Sequence, residues 1–440
     1  MTHFRKAMAV AAIAAIPFGA AAEGYQVNTL SARQNGMGHT GTAMHLGAES
    51  MIFNPAGLGF LNKTLEFQGS VTGIFATAHA TVDGVKYTTS NTPSTPMAFN
   101  LGMKVYDNFK AGVSFYTPYG SGINWGDNWP GAVLNQSVTL RAFTVQPTLA
   151  WEIIPGLSVG AGAMVSFGTV DLNKGLVSPE SMNTILEMSG SDYRFTDTPA
   201  SINLQGRTAT TVGVNLGAMW DINEKITVGV SWRSKMNLTV KCGDASLRYA
   251  NEIARNLLQD KLNVLDQANF KATMPAVSVL NFGVSYKPVK RLILAFDAQL
   301  SGWGAYKNLD IEFLSEQLSP YNQHLEKNYK NSWTLHLGAQ YDITKRFQGR
   351  LGLMADFSPV NQNYYNPETP GMTKIEPSIG FSFSPVKYFA IDASLMYVAG
   401  LGKDNASCTY TDLLLKMDKT FTANYSTYSW CPSIGFRVNF

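Results

Sequence analysis

Apolar and polar residues alternate along much of this chain. In "LSVGAGAMVSFG", Leu157, Val159, Ala161, Ala163, Val165 and Phe167 share one parity, and Ser and Gly fill most of the other. In "ITVGVSWRSKM", Ile226, Val228, Val230, Trp232 and Met236 alternate with Thr227, Gly229, Ser231, Arg233 and Lys235. "LILAFDAQL" sets Leu292, Leu294, Phe296 and Ala298 against Asp297 and Gln299, and "WTLHLGAQY", "RLGLMADF" and "FAIDASLMY" follow the same rule. So does the C-terminal "SIGFRVNF", with Ile434, Phe436 and Val438 on one face and an aromatic, Phe440, at its end. A period of two with one apolar face predicts a half-buried strand. The tight segments "YDNFK", "EIIPG", "DINEK", "KPVKR", "DITKR" and "SPVKY" separate strands in pairs. Long polar segments divide the pairs: 79–95, 118–137, 172–204, 242–272, 302–331, 359–370 and 401–427. Six short and seven long connections predict fourteen strands.

Composition says what surrounds those strands. After the first 22 residues no stretch approaches the ~20 apolar residues of a membrane-spanning helix. Yet the chain carries 12% aromatics, 39 glycines and only 15% charged residues, apolar for a water-exposed surface. An all-β, antiparallel transmembrane barrel reconciles the two, because its strands alternate and its sheet has no free edge. Short turns on the periplasmic side and long loops outside fit this class of fold. Trp151, Trp220, Trp333 and Trp430 fall near strand ends, where interfacial aromatics sit.

The first 22 residues predict the address. Arg5 and Lys6, the apolar "AMAVAAIAAIPFGA" and Ala20-Ala21-Ala22 before Glu23 read as a secretory signal peptide. Setting Arg5 and Lys6 aside lowers the 34 basic side chains to 32, against 31 acidic ones. That balance does not suggest nucleic acid as a partner. Cys242, Cys408 and Cys431 match no metal-site spacing, and no cofactor is expected. Either Cys408 and Cys431 form one disulfide or all three remain thiols. The expected organisation is a signal peptide over 1–22, an N-terminal plug over 23–63 and a barrel over 64–440, in the outer membrane. The plug follows from size: a barrel this wide has a lumen that wall side chains alone do not fill. Within it, "IFNPAGLGF" centres on Asn54-Pro55-Ala56 next to Phe53, a rigid apolar turn that needs enclosure.

Two of the long connections contain helical patterns. "SPESMNTILEM" opens on Ser178 as a cap and Pro179 at the first helical position, with Met182, Ile185 and Leu186 as an apolar stripe. "SLRYANEIARNLLQDKLNVL" spaces Leu247, Ala250, Ile253, Ala254, Leu257, Leu258 and Leu262 at helical intervals. These faces either pack on each other or form a groove for a hydrophobic ligand, and both can hold at once. Arg233 and Lys235 lie opposite Trp232 and are expected to face the lumen. There they either attract a carboxylate or pair with wall acids such as Asp297, Asp356 or Asp392.

Several blocks together resemble the FadL/TodX family of outer-membrane transporters for long-chain fatty acids and other hydrophobic compounds. They are "GYQVNTLSARQNGMGHTGTA", "FNPAGL", "GVSFYTPYG", "GVSWRSKM", "AQLSGWGAY" and "RLGLMADFSPV", in order along the chain. The resemblance implies a monomeric fourteen-stranded barrel with an N-terminal hatch, in which Phe53, Asn54, Pro55 and Ala56 would gate. It implies capture in a groove between two long outer loops, here Met182, Ile185, Leu186, Ile253, Leu257, Leu258 and Leu262. A lumen site near the mature N-terminus would include Tyr25, Arg233 and Lys235, and release would run sideways through the wall into membrane lipid, near a kink in the third strand. A C18 chain at ~0.8 kcal/mol per buried CH₂ loses much by crossing water, which makes a lateral exit physically sensible. The alternative is a barrel of this kind serving as a protein-binding shuttle in secretion. An open porin conflicts with the predicted plug. Catalysis lacks a motif: His39, His45, His79, His324 and His336 join no HExxH or Gly-x-Ser-x-Gly sequence.

Overall fold

The computed structural model describes residues 24–440. The predicted signal peptide, 1–22, lies outside them. The wall is a closed antiparallel barrel of fourteen strands. Its strands are β1 (Leu65–Thr72, prolonged by Phe75–Val82), β2 (Met97–Lys104), β3 (Phe109–Asn124), β4 (Ser137–Ile154) and β5 (Leu157–Val177). Next come β6 (Thr211–Asp221, preceded by Ala200–Arg207), β7 (Ile226–Arg233, followed by Met236–Tyr249) and β8 (Val279–Val289, preceded by Gln267–Ala276). The circuit ends with β9 (Leu292–Ser301), β10 (Ser332–Asp342), β11 (Phe347–Asp356), β12 (Lys374–Val386), β13 (Phe389–Gly400) and β14 (Met417–Asn439). β1 pairs with β14 from Glu66↔Asn439 to Thr72↔Ser433 and closes the ring.

Within the membrane band the faces are inverted relative to a water-soluble barrel. Val113, Leu149, Leu216, Phe282, Leu337 and Ile379 are exposed outward, and Ser114, Gln146, Asn215, Thr334 and Gln340 are buried inward. Lipid accepts the apolar side at no cost, whereas a polar side chain there would lose its hydrogen bonds. Trp151, Trp220, Trp333 and Trp430 are each about half exposed on the outer face.

Above that band, three neighbouring strands break and change face. In β7 the odd positions Thr227, Ser231 and Arg233 point inward; past the interruption at Ser234-Lys235, the even positions Met236, Leu238 and Val240 do. β6 changes parity across 208–210 and β8 across 277–278 in the same way. The reason is a change of solvent. Outside the membrane, water replaces lipid, so the apolar set must turn inward, and a one-residue slip moves a whole set to the other face. This corrects two expectations. Met236 does not continue the lipid-facing set of Trp232, and Lys235, expected in the lumen beside Arg233, is exposed on the outside. The second long connection also divides differently: Leu247 belongs to a strand, and the helix spans only Glu252–Leu262.

Residues 24–63 lie inside the barrel and are mostly buried. They hold two single-turn helices, α1 (Ala32–Asn35) and α2 (Ser50–Phe53), and a 3-10 segment, Pro55–Phe60. Inward polar groups of the wall hold this segment by its backbone. Asp297 on β9 accepts from Gly41 N at 2.7 Å and Thr42 N at 2.8 Å. His336 Nδ1 on β10 donates to Gly38 O at 2.8 Å, and Gln146 Nε2 on β4 donates to Met51 O at 2.8 Å. All three cysteines are unpaired thiols, with Cys408 and Cys431 buried.

Candidate functional site

From outside inward, the first feature is the loop crown. Ser178 caps α3 (Pro179–Met188) by accepting from Ser181 N at 3.2 Å. Asn251 caps α4 (Glu252–Leu262) by accepting from Ala254 N at 3.0 Å. Met182 and Leu186 of α3 and Leu258 and Leu262 of α4 are buried in one cluster with Val177, Phe195, Ala200 and Ala254. The helices therefore bury much of their apolar faces in one shared cluster with the surrounding strand ends and loops. Of the predicted groove residues, Ile185 and Leu257 are half-buried, and Ile253 is exposed at 42%. The start of α3 is tied to the last loop: Ser181 Oγ donates to Asp412, and Lys419 Nζ lies 3.0 Å from Ser181 Oγ and 3.3 Å from Asp412. Beside these helices, not between them, opens a groove of about 650 Å³ lined by Leu176, Tyr321, Leu325, Tyr364 and Tyr410 among others.

Beneath the crown is an apolar slot in the barrel lumen. Leu140, Leu172, Leu204, Leu238, Val240, Phe270 and Ile311 line it, with Tyr25 below and Glu368 and Thr369 above. A water-sized sphere has about 60 Å³ to move in. That is room for a few waters, so an extended acyl chain enters only if side chains yield. The partition between slot and groove is polar. Lys327, 1% exposed, forms a buried ion pair with Glu368, and Tyr329 Oη meets Thr369 Oγ1 at 2.9 Å. Trp125 Nε1 donates to Pro367 O at 3.0 Å and fixes the same loop.

The floor of the slot is the start of the N-terminal segment. Tyr25 Oη donates to Pro275 O at 2.5 Å, and its ring lies 4.9 Å from Trp303 and 5.9 Å from Tyr306. Burial raises its hydroxyl well above the ordinary range, so it stays a neutral donor. Gln26 bridges Tyr119 on β3, where Val27 N donates to Pro118 O at 2.9 Å and Gly120 N donates to Tyr25 O at 2.8 Å. The ladder of β3 shifts between Tyr116 and Tyr119, so backbone of the N-terminal segment fills the bulge that Pro118 creates. Below it, Arg233 shares a small polar chamber with His39, His336, Asp297, Asn281 and Gln299. Burial, then the neighbouring His336 and Arg233, hold His39 well below its usual range, and it is neutral there. The other wall acids named from sequence pair elsewhere: Asp356 with Lys374, and Asp392 with Arg350 and Arg437.

The Asn-Pro-Ala turn is seated against β5, β6 and β7. Asn54 Nδ2 donates to Thr42 O at 2.7 Å and to Ala218 O at 3.0 Å, and Asn54 Oδ1 accepts from Ala56 N at 3.1 Å. Ser231 Oγ donates to Phe53 O at 2.9 Å, and Ser158 Oγ to Ala56 O at 2.8 Å. Two wall glycines make room: a Cβ on Gly217 would lie 2.0 Å from Asn54 Oδ1, and one on Gly160 would lie 2.4 Å from the Pro55 carbonyl carbon. Trp303 and Tyr306 fall in the block "AQLSGWGAY", whereas no motif marks Lys327 or Glu368; the four come together only through distant loops.

A closed fourteen-stranded barrel with a lipid-facing apolar band, a filled lumen and apolar cavities is an outer-membrane transport channel for hydrophobic compounds. Residues 11–440 match the family described as outer membrane protein transport protein (OMPP1/FadL/TodX), and the chain belongs to that family, whose members are transport channels and not enzymes. It is 21% identical to outer membrane protein P1 of Haemophilus influenzae over the full length of both chains. It is 21% identical to the long-chain fatty acid transport protein of an Escherichia coli O6:H1 strain, over 91% of this chain and 92% of that one. Its fold is similar to the crystal structure of a Pseudomonas aeruginosa FadL homologue, with a TM-score of 0.79 at 16% identity, over 95% of this chain and 100% of that one.

Proposed function

We propose that this protein takes up amphiphiles with a long apolar chain and one anionic head, of the long-chain fatty acid type. The outer groove receives them, the lumen slot holds the chain, residues 23–63 act as the hatch, and release is sideways into the membrane. The observation that supports this reading is the buried Lys327–Glu368 pair at the mouth of an otherwise apolar slot. An arriving carboxylate can replace Glu368 on Lys327, while Lys174, which also interacts with Glu368, compensates the displaced carboxylate and the chain follows into the slot. The E. coli relative's name points to the same ligand class. The loops leave little apolar helix surface for a protein partner, because α3 and α4 bury much of theirs in the loop crown.

The test replaces both charges together, which leaves no unpaired buried ion. In cells matched for outer-membrane abundance, Lys327→Met with Glu368→Met should lower uptake of labelled oleate about tenfold, the worth of one charged hydrogen bond. Uptake of labelled oleyl alcohol, with the same chain and no charge, should stay near wild type. Equal losses for both ligands would sink the head-group role.

A further inference from the structure

We propose that the outer wall over β8–β11 holds one anionic phospholipid of the periplasmic leaflet, its phosphate at the basic short turns and an acyl chain in a furrow above them. The inference is independent of what the lumen carries. The short turns are not alike. Those joining β8 to β9, β10 to β11 and β12 to β13 carry Lys287, Lys290, Arg291, Lys345, Arg346 and Lys387, six basic side chains against one acid, Asp342. Those joining β2 to β3, β4 to β5 and β6 to β7 carry Lys104, Lys110 and Lys225 against Asp107, Glu152, Asp221 and Glu224. In that second group Lys104 pairs with Asp107 at 3.0 Å and Lys110 with Glu152 at 3.9 Å. Lys290, Arg291, Lys345, Arg346 and Lys387 are exposed and make no ion pair among the described residues. Unpaired charge of one sign, gathered on one side of the rim, attracts an anion.

Above this side of the rim the lipid-facing surface is furrowed. A groove of about 530 Å³, open to the membrane, crosses β8 to β11, with Val284, Leu294, Phe296, Leu337 and Leu353 along it. Its floor is Ala339, set between its register partners Leu294 on β9 and Leu351 on β11. A methyl group between two larger side chains leaves a trough. The trough cannot collapse inward, because the N-terminal segment lies against the wall behind it. A Cβ on Gly338 would lie 2.5 Å from Met37 O, and one on Gly352 would lie 1.9 Å from Gly38 N. A rigid, preformed trough gives an acyl chain more dispersion contact than a flat wall and orders only the chain. Turns and furrow lie within reach of one lipid. Tyr286 lines the furrow and adjoins Lys287. Three residues at ~3.3 Å each, about 10 Å, separate Leu294 from Arg291. Tyr286 and Tyr341 are exposed just inside the turns, at the level where interfacial aromatics meet head groups.

Two other occupants fit less well. An acidic periplasmic protein would meet the turns but not a furrow in the acyl layer. A second copy related by a twofold axis would bring the same basic turns against each other. An anionic phospholipid satisfies both features, since basic clusters beside a membrane-spanning wall hold lipid phosphates and each nearby Lys or Arg adds attraction.

Protein purified from outer membranes and offered equal dioleoyl phosphatidylglycerol and dioleoyl phosphatidylcholine should retain the anionic lipid about tenfold more, read by native mass spectrometry. Lys290→Gln, Arg291→Gln, Lys345→Gln and Arg346→Gln together should abolish that preference, whereas Lys104→Gln with Lys225→Gln should leave it intact. Ala339→Trp, which fills the furrow without touching the turns, should cut retention of phosphatidylglycerol severalfold. Equal retention of the two lipids by the unmodified protein would overturn the site, and that measurement needs no variant to fold. Loss of the preference in the Lys104 and Lys225 variant would overturn it too, because the attraction would then be diffuse surface charge. If Ala339→Trp retains phosphatidylglycerol like the unmodified protein, the lipid seat is overturned and the turns are left as a docking face for an acidic protein.

Discussion

Asn54 does three things with one side chain. It caps the 3-10 segment, holds Thr42 of its own segment and holds Ala218 of the wall. Asn54→Ala should weaken the seating of residues 41–57 by about 2–4 kcal/mol, one cap and two hydrogen bonds. Hydrogen exchange of those amides should quicken while barrel amides stay protected; unchanged exchange would remove the gating role from this turn. Glu49 carries a pH signal. Burial, only partly offset by Arg33, pushes its carboxyl up from the usual value of 4.5 to about 7. For an acid raised in the folded state, the stabilisation is complete below the unfolded value and is lost as pH climbs through the folded one. Seating of the N-terminal segment should thus be firmest below about pH 4.5 and weaken by about 3 kcal/mol towards pH 7, flattening above it. Amide exchange of residues 47–53, corrected for intrinsic rates, should follow that curve, and Glu49→Gln should abolish the slope.

At the scale of elements, the strands of the membrane band were legible from sequence. "LSVGAGAMVSFG" alternates because one side meets lipid and the other meets the packed N-terminal segment. The parts projecting above the membrane were harder to see. Leu238 and Val240 are apolar at the same parity as Val228 and Val230, so the local pattern runs on unbroken and hides the change of face at Ser234-Lys235. The stretches 172–204 and 242–272 read as long polar loops, although strands run through their ends. Ser178-Pro179 located α3, because capping is local chemistry. The boundary of α4 was missed upstream, since Leu247 and Ala250 fit a helical spacing while tertiary pairing with Ile202 and Ala200's neighbourhood holds that stretch extended. The two helices stabilise each other through Leu258, which is fully buried. Leu258→Ala should cost the crown about 2–5 kcal/mol. Exchange in both α3 and α4 should rise together; a rise confined to α4 would show that the helices are not one unit.

For the whole molecule, the governing fact is that one wall meets three surroundings: lipid, water and its own N-terminal segment. Each selects a different face of the strands, and the breaks in β6, β7 and β8 lie where lipid gives way to water. Between the charged, open groove and the apolar slot stands the buried ion pair of Lys327 and Glu368.

By itself the sequence determined the strand count, the lipid-facing sets and the helix cap at Ser178, because periodicity and capping depend on near neighbours and on the surrounding solvent. It also carried the family, through short blocks in a fixed order. Only the tertiary structure decided that Lys327 meets Glu368, that Asn54 reaches Ala218, that Lys235 faces outward and that the ladder between β6 and β7 is interrupted over 210–213. Those are matters of register and barrel closure. They join residues far apart in the chain, and a one-residue slip, invisible to local pattern, changes which side chains share an interior.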